Sequence, residues 1–152
     1  MSQVMIKKGG EPVKQISVML QNRIGSLESL LKMVQSTGEE VIGLSMQDAK
    51  DATIVRLIVT DPCLVTQTFL EKGMPHTTCR MVVISMRDPS TEIVKCLDIL
   101  RAGETNVDFA YSLISQPEGR SLIALHLDDH EFGAEMLRCA GVKVLFQCDL
   151  SR

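Results

Sequence analysis

The sequence predicts an α+β fold: two βαββαβ units side by side that share one strand, giving an extended antiparallel sheet with its helices on one face. Three observations predict it. Period-two apolar runs precede each of two helical stripes, the stripes recur at a displacement of 66 residues, and no linker separates the copies. At 152 residues the chain suits one ordinary domain or two small ones sharing a core.

Ile16, Val18 and Leu20 alternate as a half-buried strand does, which places the first strand over residues 13–21. Leu27, Leu30, Leu31 and Val34, spaced i, i+3, i+4 and i+7, form the apolar stripe of a helix over 25–37. Strands follow at 40–48 and 53–60, then an acidic break at Thr60-Asp61, a short helix at 62–72 and a strand at 77–86. In the second copy, Val82, Ile84 and Met86 repeat the opening strand, and Ile93, Cys96, Leu97 and Leu100 repeat the stripe in a helix over 91–102.

The segment "IVRLIVTDPCLVTQTFLEKGM" (54–74) lies without gaps over "LIALHLDDHEFGAEMLRCAGV" (122–142), displaced by 68 residues. This sets strands at 106–115 and 120–128, a helix at 130–140 and a strand at 142–149. The two additional residues fall most simply in the turn "QPEG". Gly73 and Gly141 fit helix C-termini, where a left-handed residue is cheapest as glycine. "CRMVVISM" must close unit one (13–80) and open unit two (81–152), as a strand shared over about 79–86, and residues 1–12 with "KKGGEP" read as a loose tail.

Composition narrows the function. Sixteen Lys and Arg against 19 Asp and Glu give a formal charge of -3 with no basic stripe, and aromatic residues are 3% of the chain, so phosphates and bases find little to bind. Hydrophobic residues at 45% and charged ones at 23% are globular proportions. Five cysteines (Cys63, Cys79, Cys96, Cys139, Cys148) form no C-x-x-C pair and read as small buried hydrophobes in a reducing cytoplasm. No apolar run spans a bilayer, and the N-terminus carries no export signal, so the expected location is cytoplasmic and away from membranes.

The first strand ends in "NRIGSL" before the first helix, and with the duplicated βαββαβ topology this resembles the ACT domain family. The resemblance covers about residues 13 to 150 and lies nearest to short proteins made of two ACT domains. It implies ferredoxin-like units that bind amino acids and regulate amino-acid metabolism. Family members often carry proline before the glycine, where this chain has Ile24.

The resemblance also implies a site shared by two modules: the loop Asn22, Arg23, Ile24, Gly25, Ser26 and Leu27 from one, and a second-strand start from the other. That start falls on Asn106, Val107 and Asp108 in unit two and on Glu40 in unit one. Pairing Asn22 with Asn106 gives one competent site, while the glycine-free loop "RDPSTEI" opposite Glu40 gives a degenerate one. Backbone N–H groups at the helix start suit a ligand carboxylate, Asn22 can both donate and accept, Arg23 is a second partner for the carboxylate, and Asp108 can accept from the ammonium. Because "MRDPSTEIVKCLDIL" turns without glycine, the turn itself is not expected to demand Gly25.

The expected function is thus non-catalytic: a regulatory protein binding an amino acid between its two units, a homo-oligomer acting on an enzyme or regulator. The competing reading is an assembly module without ligand, in which Asn22 and Gly25 only cap the helix. "HLDDHE" invites a metal reading, but His126 and His130 straddle a strand end and a helix start, so no metal site is expected. His76 and Cys79 sit on opposite faces of a strand, and no G-x-S-x-G, phosphate-loop or H-E-x-x-H motif is present, so neither an enzyme nor a cofactor is expected.

Overall fold

A computed structural model describes residues 10–114 and 117–151. The chain forms β1 (Val13–Leu20), α1 (Ser26–Gln35), β2 (Val41–Asp48), β3 (Thr53–Val59), α2 (Pro62–Glu71), β4 (His76–Met86), α3 (Pro89–Ala102), β5 (Val107–Ser112), β6 (Ser121–Leu127), α4 (His130–Cys139), β7 (Val144–Leu145) and α5 (Gln147–Leu150). Among the described residues no helix is long and apolar enough to cross a membrane.

Two compact units divide the chain: residues 14–79 with 151, the N-terminal unit, and residues 10–13 with 80–150, the C-terminal unit. Strand β4 contributes His76–Cys79 to the first and Arg80–Met86 to the second. The N-terminal unit has strand order β2-β3-β1-β4, and the C-terminal unit β5-β6-β4 with β7 on β4. Both orders are second, third, first, fourth within their unit, the ferredoxin-like arrangement of an antiparallel sheet.

In the N-terminal unit Ile16, Val18 and Leu20 on β1 and Val55, Leu57 and Val59 on β3 share one sheet face. Leu30 and Val34 of α1 and Val65 and Phe69 of α2 join them in one buried cluster, so both helices cover that face. In the C-terminal unit Val82, Ile84 and Met86 meet Cys96 and Leu100 of α3 and Ala134 and Leu137 of α4 in the same way.

The duplication extends to details of hydrogen bonding. Thr60 N–H donates to the Glu40 carbonyl and Asp128 N–H to the Asn106 carbonyl, each at 3.1 Å. The side chains of the same two residues accept in return from Glu40 N–H (3.0 Å) and Asn106 N–H (3.1 Å). A β-bulge follows in both units, between Val41 and Gly43 and between Val107 and Phe109. Asp61 and Asp129 cap α2 and α4 by accepting from Cys63 and Leu64 N–H and from Phe132 N–H. Gly73 and Gly141 hold φ of 69° and 88° past the same helices.

The expected last strand over 142–149 is shorter. Asp149 accepts from Phe146 N–H at 2.7 Å, which turns the backbone into α5 after the two residues of β7. The strand expected over 106–115 ends at Ser112, and Ser115 and Gln116 lie outside the described residues. Residues 1–9 of the expected tail also lie outside them, while Pro12 bridges to Phe146 and Gln147 N–H donates to the Glu11 carbonyl at 2.9 Å.

Candidate functional site

The strand-to-helix connections of the two units differ, although their flanking strands and helices correspond. Helix α3 starts at Pro89, whose counterpart at the 66-residue displacement is Arg23, whereas α1 starts only at Ser26. Helix α1 therefore lacks about one N-terminal turn that α3 possesses. Gln21 to Gly25 form an open loop in its place, with Arg23 N–H donating to the Gln21 carbonyl at 2.8 Å and Ser26 N–H to the Arg23 carbonyl at 3.2 Å.

That difference overturns the expectation that the turn does not demand Gly25. Gly25 is the N-cap residue of α1 with φ 88° and ψ -6°, a left-handed conformation, while the N-cap of α3, Asp88, has φ -120°. The two loops have different backbones, and glycine fits where φ is positive. A Cβ at Gly25 would meet nothing within 4 Å, so φ alone accounts for the glycine.

The loop leaves donors open. Among the described residues no side chain caps α1, and the N–H groups of Leu27 and Glu28 have no acceptor. At the corresponding end of the C-terminal unit, Glu92 turns back and accepts from Arg87 N–H at 3.1 Å and Asp88 N–H at 2.9 Å. Glu92 thus binds residues just ahead of α3, while among the described residues the first-turn N–H groups of Ser90 and Thr91 also have no acceptor; what sets α1 apart is the groove beside its open donors.

Where the turn is missing, a groove of about 300 Å³ opens beside the sheet. Asn22, Arg23, Gly25, Ser26 and Leu27 wall it, with Leu20, Met46 and Thr53 from the strands beside them. Register explains the strand residues: Leu20 pairs with Thr53, and Val18 with Val55, which in turn pairs with Met46. All lie on the helix-covered face, beyond the end of α1. Met46 and Thr53 were not legible as site residues, because their place depends on hairpin register and on where α1 starts. Ile24 does not line the groove and is fully exposed.

Asn106, Val107 and Asp108 belong to the C-terminal unit and do not line this groove. Asn106 directly precedes β5; its Nδ2 donates to Asp108 Oδ1 at 3.0 Å, while Asp108 Oδ2 meets His126 Nδ1 at 2.9 Å. The His126 ring stacks on Phe109 with centroids 4.8 Å apart. Both Asp108 oxygens thus already have partners within the chain.

A larger groove of about 690 Å³ runs along α1 from Leu27 to Val41. Leu31 and Val34 make it apolar, Glu39 and Glu40 make one end acidic, and Lys32, which also lines it, is paired with Glu28 at 3.3 Å, so it suits a carboxylate less well. Among the described residues no three His, Cys, Asp or Glu side chains are grouped to hold a metal. The cysteines correct the expectation of five buried thiols: Cys63, Cys139 and Cys148 are exposed, Cys96 is buried and Cys79 is half-buried. Burial raises the Cys79 pKa, partly offset by the Arg56 charge, and burial followed by the Glu92 carboxylate raises that of Cys96. Neither is an activated thiolate.

A family model described as an ACT domain pair matches residues 11–151. A search of curated proteins found no match. Among solved structures, a Bacteroides thetaiotaomicron protein superposes with a TM-score of 0.84 at 21% identity, covering 93% of this chain and 96% of that one. The ligand-free regulatory subunit of aspartate kinase from Thermus thermophilus gives 0.60 at 12% identity, with 86% and 91% covered. The corresponding subunit from Thermus flavus gives 0.54 at 12% identity, with 86% and 92% covered. At these identities the likeness concerns the fold.

Proposed function

This chain belongs to the ACT domain pair family, and on that premise we propose that it is a regulatory protein whose ligand is a free amino acid held at the Gln21–Glu28 groove. The observation that supports the reading best is the missing helical turn. It opens a groove beside the positive end of α1, where the N–H groups of Leu27 and Glu28 have no acceptor among the described residues and an α-carboxylate would supply one. Asn22 and Arg23 stand on the same wall, one able to donate and accept, the other cationic.

The output in this proposal is regulatory and cytoplasmic. Binding biases self-association of the chain or its contact with an enzyme or regulator, because a ligand shifts whichever state it binds more tightly. No catalytic step is assigned to the groove.

A thermal-shift screen of the full chain against the common amino acids tests the reading. At one hundred times its dissociation constant a ligand stabilises by about 2.7 kcal/mol, which is readily measured. At least one amino acid is expected to raise the melting temperature. A flat response to all of them would favour a ligand-free assembly module instead.

A further inference from the structure

Resting on the amino-acid reading of the same groove, we infer that the site selects ligands with an uncharged side chain, and that Met46 and Thr53 set this preference. The floor is built by strands rather than by the loop. Leu20, Thr53 and Met46 stand on the sheet face that a further turn of α1 would have covered. Leu20 and Thr53 are themselves buried, at 9% and 3% exposure, so Met46, at 54%, is the part of the floor most open to a ligand.

A ligand bound by its carboxylate at the α1 N-terminus directs its side chain across this floor. Leu20 is apolar, Met46 presents a polarisable thioether, and Thr53 a hydroxyl. Thr53 is 3% exposed and borders the groove, where its hydroxyl can donate to or accept from a ligand.

The charges nearby belong to the rim. Arg23 is exposed, and Glu28 is exposed and paired with Lys32 at 3.3 Å. A charged ligand side chain laid on the floor would leave water without a counter-charge, which is costly, whereas a neutral aliphatic, thioether or hydroxyl side chain would not. Binding should therefore rank neutral amino acids above Asp, Glu, Lys and Arg.

Isothermal titration of the full chain with single amino acids tests this, in the wild type and in Met46→Glu. Met46 is 54% exposed, so the substitution leaves the core intact. The wild type is expected to bind a neutral amino acid at least tenfold more tightly than any charged one. Met46→Glu is expected to weaken that ligand at least fivefold and to raise affinity for Lys or Arg. If no amino acid binds the wild type, the amino-acid reading falls and this inference with it. If an amino acid binds but charged ones bind as tightly, or if Met46→Glu folds and leaves the ranking unchanged, the inference alone is overturned. The wild-type ranking decides the matter even if the variant does not fold.

Discussion

The Asp108 carboxylate meets His126 Nδ1 at 2.9 Å through Oδ2, while its Oδ1 accepts from Asn106 Nδ2. An exposed Asn106 and a half-buried His126 thus hold a residue that sequence resemblance assigns to a ligand ammonium. Replacing it should register in stability. Asp108→Ala is expected to cost about 1 kcal/mol in urea denaturation, the usual net worth of a hydrogen bond of this kind. Titration of the ligand found by the thermal screen should show affinity within about twofold of wild type, roughly 0.4 kcal/mol. A loss of tenfold or more would place Asp108 in the ligand site.

The helix caps make a paired prediction. Asp61 accepts from Cys63 N–H at 3.1 Å and Leu64 N–H at 3.4 Å, and Asp129 from Phe132 N–H at 3.1 Å. Alanine at either position removes the acceptor while the helix keeps its orphan donors, so each change should cost about 1 kcal/mol. Asp129→Ala should cost more than a surface control such as Lys50→Ala, since Lys50 lies in a turn and is exposed. Equal costs for caps and control would contradict this account of the two acidic breaks.

The fold was legible because its signal is written twice. A strand reading at 13–21 could err alone, but Ile16, Val18 and Leu20 recur as Val82, Ile84 and Met86 before an equivalent stripe, and burial follows both. The acidic breaks were legible for the same reason. The candidate site was only half legible. Its loop carries the motif, but the groove exists because α1 starts about one turn later than α3, a difference between aligned stretches that apolar periodicity does not report. The stripe positions Leu27 and Ile93 match although the helix starts do not. The end of the chain failed for a different reason: Asp149 capping Phe146 N–H overrides the strand pattern of "VKVLFQC".

Close packing in the C-terminal unit makes Gly133→Ala destabilising despite helix propensity. Gly133 lies inside α4, where alanine is favoured over glycine by about 1 kcal/mol. A Cβ there would overlap Leu127 Cδ1 and approach Thr105 Cγ2 at 3.3 Å and Leu100 Cδ2 at 3.4 Å. All three neighbours are buried, and overpacking of a filled core costs about 1–3 kcal/mol. The steric term should win, giving a net loss measurable by chemical denaturation; a stabilised variant would mean that Leu127 gives way freely.

Acid sensitivity should trace to His130. Its Nδ1 is buried and, among the described residues, has no hydrogen-bond partner; burial lowers its pKa below 6.5, with the Arg80 and Arg138 charges adding to the effect and Glu131 opposing it. The folded protein therefore releases this proton more readily than the unfolded chain. Between the folded value and about 6.5 the unfolded state binds the proton and the folded state does not, so stability is full above that window and declines as pH falls through it. His130→Gln keeps a polar side chain but cannot titrate. Melting temperatures measured from pH 7.5 to 5 should fall more steeply for the wild type than for the variant below pH 6.5. Parallel curves would assign the acid sensitivity to other groups, and a steeper variant would reverse the sign of the argument.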